Sequence, residues 1–166
     1  MLKRLLLFFA LAVAGAGGGL ALHTALTRGE TVFSGKRPDY IGVKDGRLAR
    51  CKRSPNCVSS QAEPTDQQHY IAPIPFKGSA LEAMVAVRKA VDGMERTLVV
   101  RHEPNYLYAE FASKLMGFVD DVEFIYDETA GVIHVRSASR LGRRDFGVNR
   151  ARVEAIRSAI EGRVQA

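Results

Sequence analysis

Between Thr97 and Ser139 four short strand-like runs follow one another closely, and a helix-patterned segment stands on either side of them. The runs cover 97–102, 106–112, 118–126 and 132–139 and are rich in Val, Ile, Phe and Tyr, the residues that suit a pleated surface. Parallel pairing needs a crossover of a dozen or more residues, and the gaps here are too short for one. The runs are therefore expected to form an antiparallel meander, with Glu128 to Gly131 as a hairpin-length turn. Upstream, Ser79 and Glu82 have capping-box spacing. Leu81, Met84, Val85, Val91 and Met94 then recur on one helical face, with Gly93 near the stop. Downstream, a helix from about Phe146 to Glu161 has Phe146, Val153, Ile156 and Ile160 as its buried stripe and Asp145 as candidate N-cap. His69 to Ile74 is a further short strand candidate, ended by Pro73 and Pro75. This order implies an α+β fold, an antiparallel sheet of about four to five strands with two helices on one face.

Hairpin register follows from the side-chain pattern. Pairing Phe124 with Val135 and Tyr126 with Ile133 gathers apolar groups on the buried face, and a one-residue slip scatters them. The same register sets Glu123 across from Arg136 as an ion pair on the more exposed face, and Asp120 across from Ser139. Asp120 shares parity with Val122, Phe124 and Tyr126, so it points to the core side and needs a donor. Ser139, Arg140 or the loop from Gly142 to Asn149 are the expected ones. Asp121 points the other way, so the two aspartates are not a facing acid pair.

From Arg136 to Arg152 the chain holds six arginines against one carboxylate, Asp145, interleaved with Ser137, Ser139, Gly142, Gly147 and Asn149. Unpaired burial of that many guanidiniums costs several kcal/mol each, so they are solvated, paired with acids, or holding an anion. Arg140 and Arg143 stand just before a helix start, where free amides and the helix dipole favour negative charge. Guanidinium forks suit phosphate, sulfate or carboxylate. Asp145 competes as an internal anion for the same amides.

The start of the chain has the layout of an export signal. Lys3 and Arg4 precede eighteen uncharged residues, Leu5 to Leu22, with small residues at Ala14, Ala16, Gly19 and Ala21. Residues 1–27 are read as a signal peptide or a single N-terminal membrane anchor, and no cysteine nearby suggests a lipoprotein. Either way the remainder is expected outside the cytoplasm, periplasmic or anchored in the inner membrane. Losing Lys3 and Arg4 takes the formal charge from +6 to +4, too mildly basic to indicate nucleic acid. Residues 28–50 are polar and rich in turn formers, a tether or an extended wrap, and 51–166 form a single α+β domain.

Cys51 and Cys57 bracket a loop, read as running from Cys51 to Ser60. A disulfide there suits an oxidising compartment and stabilises by roughly 2 kcal/mol. Free thiols, or zinc completed by His69 and His102, are the other readings. The chain lacks a nucleophile elbow, a zinc-protease helix and a phosphate- or dinucleotide-binding glycine pattern, so no cofactor is implied. His134 and Ser137 differ in strand parity, which argues against a Ser-His dyad.

Four stretches now stand together: 42–48 (GVKDGRL), 51–60 (CKRSPNCVSS), 118–124 (FVDDVEF) and 136–149 (RSASRLGRRDFGVN). In this order the chain resembles the DUF1499 family of bacteria and photosynthetic eukaryotes, from about residue 41 to 160. The last stretch is the most specific, similar to an R-S-x-S-R-x-G-x-x-D-x-G-x-N pattern at every fixed position. The resemblance implies that Asn56, Cys57, Asp120, Asp121, Arg136, Ser137, Ser139, Arg140, Gly142, Asp145, Gly147 and Asn149 occupy motif positions. Lys52 departs from it, standing where the family often has proline. It implies no activity.

Three functions fit these residues. In the first, an envelope protein holds an anionic small molecule, lipid headgroup or acidic partner through Asn56, Arg136, Ser137, Ser139, Arg140, Arg143, Asp145 and Asn149. In the second, an enzyme acts on an anionic substrate with Asp120 as acid or base and Arg136 and Arg140 stabilising charge. In the third, the motif is an internal brace within an assembly module.

Overall fold

The computed structural model describes residues 33–164, so the apolar leader lies outside the described residues. In chain order the elements are β1 (Cys57–Ser59), β2 (Ile74–Pro75), α1 (Ala80–Asp92), β3 (Thr97–Glu103), β4 (Tyr106–Ala112), β5 (Val119–Asp127), β6 (Val132–Ser139) and α2 (Val148–Val164). They build one antiparallel sheet ordered β1-β6-β5-β4-β3, with β2 pairing the other end of β6. The fold is α+β, as the strand spacing implied. Both helices pack on one face, α1 over β3, β4 and β5 and α2 over β6 and β1.

The core lies between that face and the helices. Leu107, Ala109 and Phe111 of β4, Val122 and Phe124 of β5, and Ile133 and Val135 of β6 meet Met84, Val87 and Val91 of α1 and Val153, Ile156 and Ile160 of α2. Each large apolar side chain sealed here contributes about 1.5–3 kcal/mol. Ser79 and Glu82 make both halves of the capping box, and Gly93 caps the other end of α1. The buried stripe of α1 is rotated from the expected one, since Leu81 and Val85 are 59% and 38% exposed. Ala83 and Ala90 let the backbone lie close to the sheet, and their face is the one that turns inward.

Three further expectations are corrected. The 51–60 segment is not all loop, because β1 pairs Cys57 with Ala138 and Ser59 with Arg136, and Val58 enters the core. Three residues are too few for a period to show. The 69–74 strand shrinks to Ile74–Pro75 plus a lone bridge from Tyr70 to Ser59. Pro73 and Pro75 have no amide to offer a ladder. Finally, α2 starts at Val148, and Phe146, expected in its buried stripe, is 94% exposed. A φ of +54° at Phe146 turns the chain away from the helical path.

The sheet's second face is covered as well. Leu48, Tyr106 and Tyr108 form a small buried cluster with Ile41 and Ile125 against them. Tyr40 lies over Arg136, 5.2 Å from ring centre to guanidinium carbon. The Gly42 amide reaches Glu123 at 2.8 Å from a backbone φ of +130°, a conformation side chains rarely adopt. Glu123 and Arg136 are therefore buried, 0% and 2% exposed, and not an exposed surface pair.

Candidate functional site

The expected hairpin register is found: Asp120 pairs with Ser139, Glu123 with Arg136, Phe124 with Val135 and Tyr126 with Ile133. Strand alternation then divides the Arg/Asp motif between two faces of the sheet. Asp120, Ser137 and Ser139 look toward the helices, whereas Asp121, Glu123, Arg136 and Arg140 look outward.

On the helix side, Asn149 is fully buried and holds the network together. Its Oδ1 accepts from Ser137 Oγ at 2.5 Å and from Arg152 Nη1 at 2.8 Å. Its Nδ2 faces three acceptors, Asn56 O, Ser139 Oγ and Asp145 Oδ2, at 3.1, 3.0 and 2.9 Å. Asp145 also accepts the amides of Gly147 and Asn149, so its side chain serves the start of α2 from two residues before the N-cap position, which Gly147 and not Asp145 occupies. Burial alone would raise its carboxyl, but those donors hold it below the usual range. Asp120 receives Arg152 Nη2 at 2.5 Å, and that guanidinium stacks on Phe111. Its donor is thus Arg152 of α2, and neither Ser139, Arg140 nor the loop supplies it.

The outer face carries a denser set of charges. Arg140 gives Nε and Nη2 to Asp121 and Nη2 also to Tyr108 and Glu110, while Arg37 reaches Glu110 from the covering segment. Burial by itself would raise Glu110, but hydrogen bonds from Arg140, Tyr108 and Arg37 hold it below the usual carboxylate range. Arg136 Nη1 lies 3.2 Å from Glu123 Oε2, and Glu123 Oε1 accepts from Tyr106 and from the Gly42 amide. Burial pushes Glu123 upward against the pull of Gly42, Arg136 and Tyr106.

Beside Arg136 and Arg140 a cavity of about 160 Å³ opens, lined also by Tyr40, Lys52, Ser54, Asn56, Cys57 and Ser139. Three cationic side chains and no carboxylate line it. Arg136 lines this cavity, and its Nε is sealed from solvent without a hydrogen-bond partner, the one such side-chain atom among the described residues. The Cys51–Cys57 disulfide, with Cα atoms 5.7 Å apart, closes the loop that carries Lys52, Ser54 and Asn56. Asn56 fastens this loop to the motif, donating to Gly142 O at 2.7 Å. A second cavity of about 200 Å³ mixes Arg47 and Arg50 with Glu63 and Asp66, so its charges can offset one another.

Of the residues expected to bind a ligand, Asn56, Arg136, Ser139 and Arg140 line the charged cavity, although the Ser139 hydroxyl itself turns to Asn149 on the helix side. Ser137, Asp145 and Asn149 belong to the helix-side network instead, and Arg143 is exposed. Asp120 faces away from Arg136 and Arg140, so an active site combining those three is not assembled. Sequence reasoning missed Tyr40, Lys52 and Ser54, although the last two sit inside the cysteine-bracketed loop. His134 does meet a serine, but it is Ser60, with Oγ 3.1 Å from Nδ1, and Asp127 is 3.9 Å from Nε2. That hydroxyl already accepts the Val135 amide and is 7% exposed, which ties up the would-be nucleophile. No group of three His, Cys, Asp or Glu among the described residues could hold a metal.

No curated protein and no solved structure matches the chain. A family described as "Protein of unknown function (DUF1499)" matches residues 47–160, which include β1 to β6, both helices' buried faces and the cavity's disulfide loop. With more than half of its length matched by that one description, the chain belongs to the DUF1499 family.

Proposed function

We propose that this protein is a non-catalytic binding module that holds a small anionic group in the outer-face cavity between the disulfide loop and β6. The observation that carries this reading is the buried Arg136 with a free Nε, set beside Arg140 and Lys52 in a cavity that no carboxylate lines. A buried donor without a partner costs about 1–3 kcal/mol, and an anion's oxygen would recover it. The Ser54 hydroxyl donates to Asn56 Oδ1 and Asn56 Nδ2 to Gly142 O, each at 2.7 Å, so these two shape the cavity wall and leave the cations to meet the guest. Export of the domain fits the basic, then apolar, N-terminal sequence and the disulfide.

The test compares melting in inorganic phosphate, sulfate and chloride at matched ionic strength for the parent chain and for Lys52→Glu. Phosphate or sulfate should raise the parent's Tm above chloride, and Lys52→Glu should abolish the difference. General salting effects act on both chains equally. An identical response of the two chains rejects the reading.

A second reading has its own support. Arg136, Arg140 and Arg152 are each paired with an internal acid, and Arg150 donates to Tyr70 O at 2.8 Å. The motif then acts only as a brace that fixes the last helix and the covering segment on the sheet, within an assembly module. Melting that ignores every anion, together with strong destabilisation by motif substitutions, is its expected outcome.

A further inference from the structure

One end of the domain gathers exposed apolar side chains that the core does not use. Ala112 pairs with Val119 and Asp120 with Ser139, so the 113–118 and 140–147 connections leave the sheet at the same end. Leu115 is 93% and Phe146 94% exposed there, with Met116, Leu141 and Val148 exposed beside them. Val148 and Ser113 line one open groove, which ties the two connections together. Phe146 holds its left-handed φ of +54° while pointing a bulky ring at solvent, an arrangement that internal packing does not explain.

Unpaired charge at this end has one sign. Lys114, Arg143 and Arg144 are exposed and have no acidic partner among the described residues. The nearby acids are occupied, Asp145 by the amides of α2 and Glu95 by Arg96. Large exposed apolar side chains gathered in one place and rimmed by polar groups mark an interaction site, and here the rim is cationic. Hydrophobic tips surrounded by Lys and Arg suit the boundary between acyl chains and anionic headgroups. Phe33, the first described residue, packs on Phe118 at this end at a ring distance of 5.4 Å. The uncharged run ending at Leu22 lies only a short stretch of sequence earlier.

We infer that this end docks on an anionic bilayer surface, with Leu115, Met116 and Phe146 entering the headgroup boundary and Lys114, Arg143 and Arg144 meeting lipid phosphates. This inference is independent of the anion cavity, which lies on the sheet's outer face and includes none of these six residues.

The chain has no tryptophan, so a single indole reports its own position. Full-length Phe146→Trp would be reconstituted in phosphatidylcholine vesicles with and without phosphatidylglycerol, some carrying brominated acyl chains. Leu81→Trp, in the first turn of α1 at the opposite end of the sheet, is the control. Emission from Phe146→Trp should shift to the blue and be quenched several-fold more than the control, only with phosphatidylglycerol. Adding Lys114→Glu, Arg143→Glu and Arg144→Glu should remove the shift while the protein stays with the vesicles. Water-like emission from Phe146→Trp, or quenching equal to the control, overturns the inference. A shift that ignores lipid charge and grows with protein-to-lipid ratio also overturns it, in favour of a second copy of the chain.

Discussion

Glu123 and Arg136 face each other across β5 and β6, sealed from solvent, yet joined by a single contact of 3.2 Å. The carboxylate completes its bonds with Tyr106 and Gly42, whereas the guanidinium leaves Nε unused and leans on the Tyr40 ring. The acid is thus better satisfied than the base. That imbalance is what turns an internal ion pair into a candidate binding group.

Breaking this pair from one side should be costly. Arg136→Met leaves Glu123 buried and uncompensated, and Glu123→Leu does the same to Arg136, each expected to lose about 3–5 kcal/mol. The double substitution removes both charges and should recover a large part of that loss. Urea unfolding of the three variants measures it, and a double variant as unstable as the sum of the singles contradicts the picture.

Asn149 is the second test, on the opposite face. Asn149→Ala removes the acceptor of Ser137 and Arg152 and the donor to Asn56, leaving buried polar groups without partners. Unpaired groups of this kind cost about 1–3 kcal/mol each, so a loss near the upper end is expected. Asp120→Asn should weaken only the Arg152 contact and cost less. Equal effects of the two would mean that Asn149 does not organise the network.

Why was the meander readable and the cavity not? Alternation in β5 and β6 is a local property, and a buried face enforces it, so Phe124 against Val135 could be paired from the sequence alone. That same alternation shows that Asp120 and Asp121 part company. Nothing local reveals which distant group meets each of them. Arg152 reaches Asp120 from a helix, and Glu110 reaches Arg140 from another strand. Parity alone puts Glu123 on the more exposed face, because the cover, Tyr40 to Leu48, has no periodicity to announce that it folds back. Phe146 misled for the opposite reason, since an apolar residue at helical spacing reads as core until its backbone is seen to leave the helix.

The disulfide offers a third test. Cys51 and Cys57 close a short loop, for which chain entropy in the unfolded state gives a stabilisation of about 2 kcal/mol. Cys51→Ser with Cys57→Ser should lose about that much in urea unfolding. It should also weaken any phosphate or sulfate response, because Lys52, Ser54 and Asn56 line the cavity from this loop. Retention of the full anion response without the disulfide would show that the loop does not need to be fixed to bind.

The last test concerns pH, and its sign follows from where each proton sits. Burial beside Ser60 lowers His134 from its ordinary value of 6.5, the main cause being lost hydration, with Asp127 opposing and Arg47 adding to it. A histidine depressed in the folded state binds fewer protons than in the unfolded chain, so it contributes stability above pH 6.5 that is lost as pH falls through that value. Glu123 works the other way. Its raised folded value means that acidification relieves a buried charge, so stability gained from it grows as pH falls toward the ordinary carboxylate range. Glu110 and Asp145, both depressed, contribute stability that survives to lower pH and disappears only below the unfolded carboxylate range. Melting followed from pH 8 to pH 5 should therefore show a decline that His134→Gln flattens and Glu123→Gln steepens. A profile unchanged by His134→Gln would mean that the imidazole is as well hydrated in the folded chain as in the unfolded one.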